Sequence, residues 1–473
     1  MRVALCIAVI WSAASSSATT GTIAERQSQE LVQSGMLAGL HWPNFADQQT
    51  AVARFYELNG YQLAWVRAGV LTPQAQSLLA ALKNARFKAL DPNDYDAWSL
   101  SGSGPERFDL AITISALRYI HDVSSGKVDP DVFSFGLHFS QPKCDLAADA
   151  FALIHSADVA AELNKLEPPF EGYWRTQKAL VQYLARPGED PKQIRQLQLV
   201  LERWRWVPHS FSRPPIVVNI PEFCLRVYDD HYRPELEMKV VVGKAYRHKT
   251  PVFSEQMTHV IFRPYWDVPL SIQRAELVPK MAKDPAYLAK NDYEIVDARR
   301  HVVSPTVTPE TLADLRAGKL FIRQAPGEKN ALGRIKFLFP NEYNVYLHGT
   351  PAKALFLKTR RDFSHGCIRV EKPEELAEWV LRGLPGWDLK KIRQAEGGEI
   401  SNRVNLDRPI PVLIVYGTAV VGADGEARFF DDIYGWDRAL AELLDHGYPY
   451  SGWHPGNAKQ TPTNAARGRH LHE

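Results

Sequence analysis

At Arg213-Pro214-Pro215 the hydrophobic period of the chain changes, and this change limits what each half can fold into. Proline lacks a backbone donor and disfavours helix in the residue before it, so a helical pattern stops ahead of such a pair. Before it, from about residue 22 to 205, apolar residues recur at helical spacing. Thr72-Pro73 supplies a cap and a first-turn proline, with Leu78, Leu79, Leu82 and Phe87 on one face. Leu110 to Val123, Trp174 to Leu184 and Gln193 to Trp206 are further helices. After the proline pair the apolar runs are short, β-branched or aromatic, and bounded by turn residues. They are Ile216 to Ile220, Phe223 to Tyr228, Met238 to Val242, Val260 to Phe262, Ile335 to Phe339, Tyr343 to Leu347 and Pro411 to Tyr416. Residues 267 to 333 interrupt the strands with helical signals at Ser271 to Met281 and Thr308-Pro309 to Gly318, so they are expected to form an insertion over the sheet. Pro373 starts one more helix, with Glu374 and Glu375 in its first turn and Arg382 near its end, as the helix dipole favours.

The fold class expected is therefore α+β: a helical scaffold over 22–205, a mainly-β domain over 214–420 with a helical lid inserted at 267–333, a C-terminal extension over 421–450 and a disordered tail over 451–473. A chain of 473 residues is too long for one ordinary core. A net charge of +2 with no Lys/Arg block gives no nucleic-acid footprint. Arg2, the apolar run Val3 to Ala14 and the small residues Ser16-Ser17-Ala18 resemble a cleavable export signal over 1–18. That run is too short to be a permanent span, so a periplasmic location and no stable membrane span are expected. Cleavage would leave three cysteines, Cys144, Cys224 and Cys367. An odd count leaves at least one thiol unpaired within the chain, and in an oxidising compartment a free thiol needs a reason.

One reason stands in the sequence. Tyr346-Leu347-His348-Gly349-Thr350 ends a strand on a histidine, and nineteen residues after it comes Cys367, within Ser364-His365-Gly366-Cys367-Ile368-Arg369-Val370. A cysteine nucleophile needs a base, and the base needs a partner that fixes its tautomer. A histidine at a strand end has a rigid position, and a nearby carbonyl can accept its second N–H. Glycine beside the thiol lets backbone N–H groups converge on one point, as an oxyanion hole requires. An isolated Cys/His pair is more often a buried thiol and a satisfied core histidine.

The combined pattern resembles the L,D-transpeptidases of the YkuD type, whose signature is a histidine, a gap under twenty residues, then Ser/Thr-His-Gly-Cys. Val240-Val241-Val242-Gly243-Lys244 and Lys249-Thr250-Pro251 are similar to that family's early strand and loop. Arg263-Pro264-Tyr265-Trp266-Asp267-Val268-Pro269, Leu201 to Pro208, Leu90-Asp91-Pro92 and Gly126-Lys127-Val128-Asp129-Pro130 resemble its long YcbB-like subgroup. Relatives of that kind carry a small peptidoglycan-binding module where this chain has only Arg186-Pro187-Gly188-Glu189-Asp190-Pro191.

The resemblance implies a chemistry without cofactor or metal. Cys367 would attack the carbonyl between a diamino acid, meso-diaminopimelate, and the terminal D-Ala of a peptidoglycan tetrapeptide stem. His348 would act as base, with the Gly349 carbonyl orienting its ring. Backbone N–H groups around His365, Gly366 and Cys367 would hold the oxyanion. The acyl group would pass to the side-chain amine of a second stem, giving a 3→3 cross-link. Arg369 would contact a substrate carboxylate, a structural salt bridge being an equal alternative, and Ser364, Tyr346 and Trp266 would line the substrate cleft. Other cell-wall enzymes are possible partners. Three other readings stay open: an L,D-carboxypeptidase or amide hydrolase on the same thiol, a zinc enzyme using His348, His365 and Cys367, and a non-catalytic wall-binding scaffold.

Overall fold

The computed structural model describes residues 23–137, 144–304 and 306–447. The expected export signal at 1–18, the tail at 451–473 and residues 448–450 of the extension lie outside them. Contacts divide the chain into two compact units. Among the described residues, one takes 23–83, 92–120 and 145–163, and the other takes 84–91, 121–137, 144 and those from 164 to 447.

In the first unit, helix Pro73–Lys83 starts at the expected Thr72-Pro73 signal, and the Thr72 hydroxyl accepts the Ala75 N–H at 3.1 Å. Helix Pro105–Ser125 begins earlier than the apolar spacing indicates, because Pro105 opens its first turn. Its buried Asp109 is a hub. The carboxyl group accepts the Trp65 N–H at 2.6 Å, the Val66 N–H at 3.1 Å and the Tyr56 hydroxyl at 2.8 Å. A buried acceptor is tolerated because it is satisfied in this way.

In the second unit, helices Glu171–Ala185 and Pro191–Arg205 are joined by residues 186–190. Asp190 caps the second by accepting the Lys192 N–H at 2.9 Å, and Pro191 opens it. The pair packs through Tyr173, Leu180, Leu197 and Leu201 onto a hairpin, Ala419–Val421 with Ala427–Phe429.

Nine strands build the main sheet: β1 (Ile216–Asn219), β2 (Cys224–Tyr228), β3 (Pro234–Gly243), β4 (Phe253–Phe262), β5 (Ile335–Leu338), β6 (Leu347–His348), β7 (Asp362–Ser364), β8 (Ile368–Val370) and β9 (Asn402–Val415). Their order is β7-β3-β8-β6-β5-β4-β9-β1-β2, and β2 pairs again with β3, which closes the sheet on itself. Alternate residues point inward, as the two-residue strand period requires. Ile216, Leu225, Val240, Phe337, Leu347 and Ile368 form part of one buried core. Residues 121–144 contribute Val128, Phe135 and Leu137 to it, and Gly136 hydrogen-bonds the start of β4 through Val252 and Ser254 at 3.0 Å each.

The strand expected over 343–347 is shorter than its apolar pattern suggests and starts at Leu347. Asn341 accounts for this. Its amide accepts the Val345 N–H at 3.0 Å and donates to the Val345 carbonyl at 2.7 Å, holding the preceding residues in a loop with Asn344 left-handed.

The insertion leaves β4 and returns to β5. Beside the expected helices it holds a four-stranded sheet made of Trp266–Asp267, Phe321–Gln324, Tyr293–Val296 and Val302–Ser304, in that order. It has its own core of Val268, Leu277, Val278, Met281, Ile295, Leu315 and Ile322. Its root is tied by the Arg263 N–H to the Arg334 carbonyl at 2.7 Å and by Asn330 Nδ2 to the Pro264 carbonyl at 3.0 Å. Thr308 caps helix Pro309–Ala317 and left-handed Gly318 ends it. The helical stretch before it contains a wider π turn, Gln273–Leu277. Pro279, which follows, has no N–H to continue the regular ladder.

Candidate active site

Strand β6 lies between β5 and β8. Phe337 pairs with Leu347 and Leu347 with Ile368, all three facing the core. The alternate positions therefore face outward: Lys336 is opposite His348, and His348 is opposite Arg369. Register alone thus gathers a cation, an imidazole and a guanidinium on one outer face.

Cys367 precedes β8, where the Ile368 N–H bonds the Tyr346 carbonyl at 3.1 Å. The loop before it is clamped. Gly366 has φ +119°, a conformation open to glycine. Ser364 is buried, donates its hydroxyl to the Cys367 carbonyl at 2.6 Å and accepts the Gly366 N–H at 3.1 Å. Thr250 donates to the Gly366 carbonyl at 2.7 Å and accepts the Gly243 N–H at 2.9 Å. The Tyr434 hydroxyl in turn donates to the Gly243 carbonyl at 2.7 Å and accepts the Thr250 N–H at 3.1 Å.

His348 is buried, and its Nδ1 lies 2.6 Å from the Gly349 carbonyl. A carbonyl can only accept, so Nδ1 carries the proton and Nε2 keeps its lone pair. Burial, with Arg369 and Lys336 near, pushes this imidazole down to about 3, so it stays neutral. Gly349 is fixed by its N–H on the Ile335 carbonyl at 2.9 Å. Gly333, at φ +65°, packs against it so closely that a Cβ there would lie 2.6 Å from the Thr350 nitrogen.

Cys367 lies two residues before Arg369, the residue opposite His348, and no hydrogen bond joins its thiol to His348. The half-buried thiol points at the Asn344 carbonyl, 3.5 Å away. Burial raises the thiol above its ordinary value, while the Tyr346 N–H and hydroxyl, Lys336 and Arg369 pull it back toward thiolate. The Lys336 ammonium sits 3.9 Å from the centroid of the Tyr346 ring, a cation–π contact. Burial lowers Lys336 itself, with Cys367 and Asp267 acting the other way. The Tyr346 ring lies 5.7 Å from that of His348, and its hydroxyl takes a hydrogen bond from Trp266 of the insertion. Arg369 is half-buried, makes no ion pair among the described residues, and its Nε has no hydrogen-bond partner. His365 faces another way: its Nε2 donates to Glu276 Oε1 at 2.6 Å, and its ring lies 4.7 Å from that of His248.

The structure thus brings Cys367, His348, Gly349, Gly366, Arg369, Tyr346 and Trp266 into one region, with Ser364 shaping the loop and His365 turned to the insertion. Lys336, Thr250, Tyr434 and Glu276 escaped the sequence reading of the site. A charge in Ile335-Lys336-Phe337-Leu338 hinted at an outward face, and Tyr434 gave no signal at all. Cys144 and Cys224 are free thiols, and burial pushes Cys224 up to about 12. Among the described residues, no group of three or more His, Cys, Asp or Glu is placed to hold a metal ion. No helix among them is long and apolar enough to cross a membrane.

Comparison with known proteins agrees with this geometry. Residues 50–180 match the family described as a scaffold domain, and residues 213–393 match the L,D-transpeptidase catalytic domain of the YkuD family. Over 249 residues the chain is 34% identical to a Haemophilus influenzae protein named "Putative L,D-transpeptidase". That match takes in 52% of this chain and 49% of the relative, so it spans about half of each.

Proposed function

We propose that this chain, whose residues 213–393 match the YkuD-type L,D-transpeptidase catalytic domain, joins the stem peptides of peptidoglycan through an acyl-enzyme on Cys367. The single observation that carries the reading is a loop-held thiol beside a sheet face that holds a neutral histidine and an arginine with no ion pair among the described residues. Such an arginine suits a donor whose carboxylate lies beside the amide to be broken.

His348 Nε2 takes the thiol proton, and Cys367 sulfur adds to the carbonyl of the diamino acid. Lys336 and the Tyr346 hydroxyl stabilise the thiolate. The Gly366 N–H is engaged by Ser364, so the neighbouring N–H groups of His365 and Cys367 are the donors for the oxyanion. The tetrahedral adduct collapses, the C–N bond breaks, and His348 returns its proton to the amine of D-Ala. A thioester remains. The side-chain amine of a second stem then attacks it, loses a proton to His348, and displaces Cys367 as thiolate. The product is a 3→3 cross-link, and this places the enzyme outside the cytoplasmic membrane.

The test is mass spectrometry of products from the purified chain and tetrapeptide-bearing fragments. Wild type is expected to release D-Ala and form cross-linked dimers, with a thioester on Cys367 on the way. Cys367→Ala should lose at least about three orders of magnitude in turnover, as loss of a nucleophile does, and keep its fold. Tripeptide without dimers would instead make water the acceptor. Undiminished activity in Cys367→Ala would remove the mechanism altogether.

A further inference from the structure

The outer face that holds His348 extends past β5. Arg403 of β9 is opposite Ile261 of β4, and Ile261 is opposite Lys336 of β5. Lys336 is opposite His348 of β6, and His348 is opposite Arg369 of β8. These five positions make one row across five neighbouring strands, and every second strand of it carries a cation. Strands lie about 4.8 Å apart, so the backbones of successive cations are about 10 Å apart.

Arg403, at the far end of the row, has no assigned task. It is exposed, and it makes no ion pair among the described residues. Its Nε donates to Asn405 Oδ1 at 2.9 Å. Asn405, two residues on, belongs to the next row, opposite His259, which is opposite Leu338. That row lies on the same side of the first as Cys367, which is two residues before Arg369. The guanidinium is thus drawn toward the thiol's side. Its two terminal nitrogens stay available as the planar fork that matches a carboxylate.

The groups between Arg403 and Lys336 supply no counter-ion. Ile261 is apolar and half-buried. His259 is held neutral, pushed down to about 4 by burial and then by Arg403 and Lys336. Asp267 is the carboxylate that acts on Lys336, and it is paired with Arg300 at 3.3 Å. Single cations set about 10 Å apart with apolar surface between them suit a peptide with well-separated carboxylates. A polyphosphate, with contiguous charges, would leave that spacing unused.

The reach agrees with one carboxylate of the donor. Three strand spacings, about 14 Å, part the backbones of Arg403 and His348. An extended arginine side chain spans roughly 6 Å of that, leaving about 8 Å. In a stem with γ-linked D-glutamate before the diamino acid, the glutamate α-carboxylate lies about 9 Å from the attacked carbonyl when extended.

We propose that Arg403 is a specificity-determining residue that binds this second carboxylate of the donor stem. The site would then favour stems with D-glutamate at that position over stems in which it is amidated to D-isoglutamine. The proposal rests on the L,D-transpeptidase reading for the identity of the peptide, but its test needs no turnover.

The experiment is calorimetric titration of the full-length Cys367→Ala protein, which cannot be acylated. The probes are L-Ala-γ-D-Glu-meso-diaminopimelate-D-Ala and its D-isoglutamine counterpart. The free acid is expected to bind about five-fold more tightly, the upper value for one exposed charge pair. Arg403→Gln in that background should bring both stems to the weaker affinity. Arg403→Lys should restore part of the difference, since it keeps the charge and loses the fork. An unchanged thermal melt shows that each variant has kept the fold. Equal binding of the two stems, no binding of either, or a difference that survives Arg403→Gln would overturn the proposal. So would a difference seen only when acidic and amidated tripeptides are offered as acceptors to wild type already carrying the thioester, which would move the contact to the second stem. A protein that discriminates as expected yet never releases D-Ala from either stem keeps the subsite and loses the catalytic reading. A protein that releases D-Ala from both stems equally well does the reverse.

Discussion

Lys336 favours the thiolate form of Cys367. His348 is held neutral, so an imidazolium cannot be the standing counter-ion of a Cys367 thiolate. That task falls to Lys336 and Arg369, both of which draw the thiol down against its burial. The thiolate is the reactive form, so alkylation by iodoacetamide rises with pH through the thiol's pKa. Removing a cation disfavours the thiolate, so Lys336→Met should move that midpoint up by about one unit and slow alkylation below it about ten-fold. The profile should show no second inflection near the ordinary histidine value. An unmoved midpoint would mean that Lys336 does not serve the thiol. Cys367, His348 and Gly349 were readable because each belongs to a short motif with its own chemistry. Lys336 was not, because its place beside them depends on the register of β5 against β6, which no local pattern records. Thr250 and Tyr434 act through the Gly366 loop from distant parts of the chain.

The insertion between β4 and β5 approaches the thiol region through two of its elements. Strand Trp266–Asp267 supplies the hydrogen bond to Tyr346, and the π turn Gln273–Leu277 supplies Glu276 to His365. A π turn widens the helix at one point and re-aims what it carries, and such turns recur at functional sites. With its own core, the insertion would, on the acyl-enzyme reading proposed above, act as one body to exclude water from the thioester. Glu276→Ala should therefore raise hydrolysis relative to transfer about three-fold, roughly the value of one modest hydrogen bond, while leaving the thiol's titration alone. Counting tripeptide against dimer by mass spectrometry checks this, and an unchanged ratio would leave the insertion without a gating role. Its helices were legible because Thr308-Pro309 and Gly318 mark their ends. Its strands were not: Phe321-Ile322-Arg323-Gln324 is four residues long and half polar, too short for alternation to speak.

At the scale of the whole molecule, the boundary at Arg213-Pro214-Pro215 is a boundary of pattern and not of packing. The change from helical to strand period falls there, yet helices Glu171–Ala185 and Pro191–Arg205 and residues 121–144 belong to the same compact unit as the closed sheet. Periodicity reports what each segment is; it does not report which segments share a core. A chain beginning at residue 213 would lack Val128, Phe135 and Leu137 from its main core and expose the apolar faces that Leu197 and Leu201 cover. It should show no cooperative thermal transition, since losing three such side chains costs about 6 kcal/mol, comparable to a domain's whole stability. Extending it back to residue 121 should restore one. A cooperative melt of the shorter chain at the full-length temperature would sink this. The closed sheet also has a consequence in time. β1 pairs with β9, and the Gly366 loop is braced by Tyr434, so the first strand waits for the last and the loop for a residue made later still. Synthesis runs from one end, so no nascent chain can present the finished thiol. The loop that carries Cys367 gains its brace only once Tyr434 has been made, 67 residues after the cysteine itself.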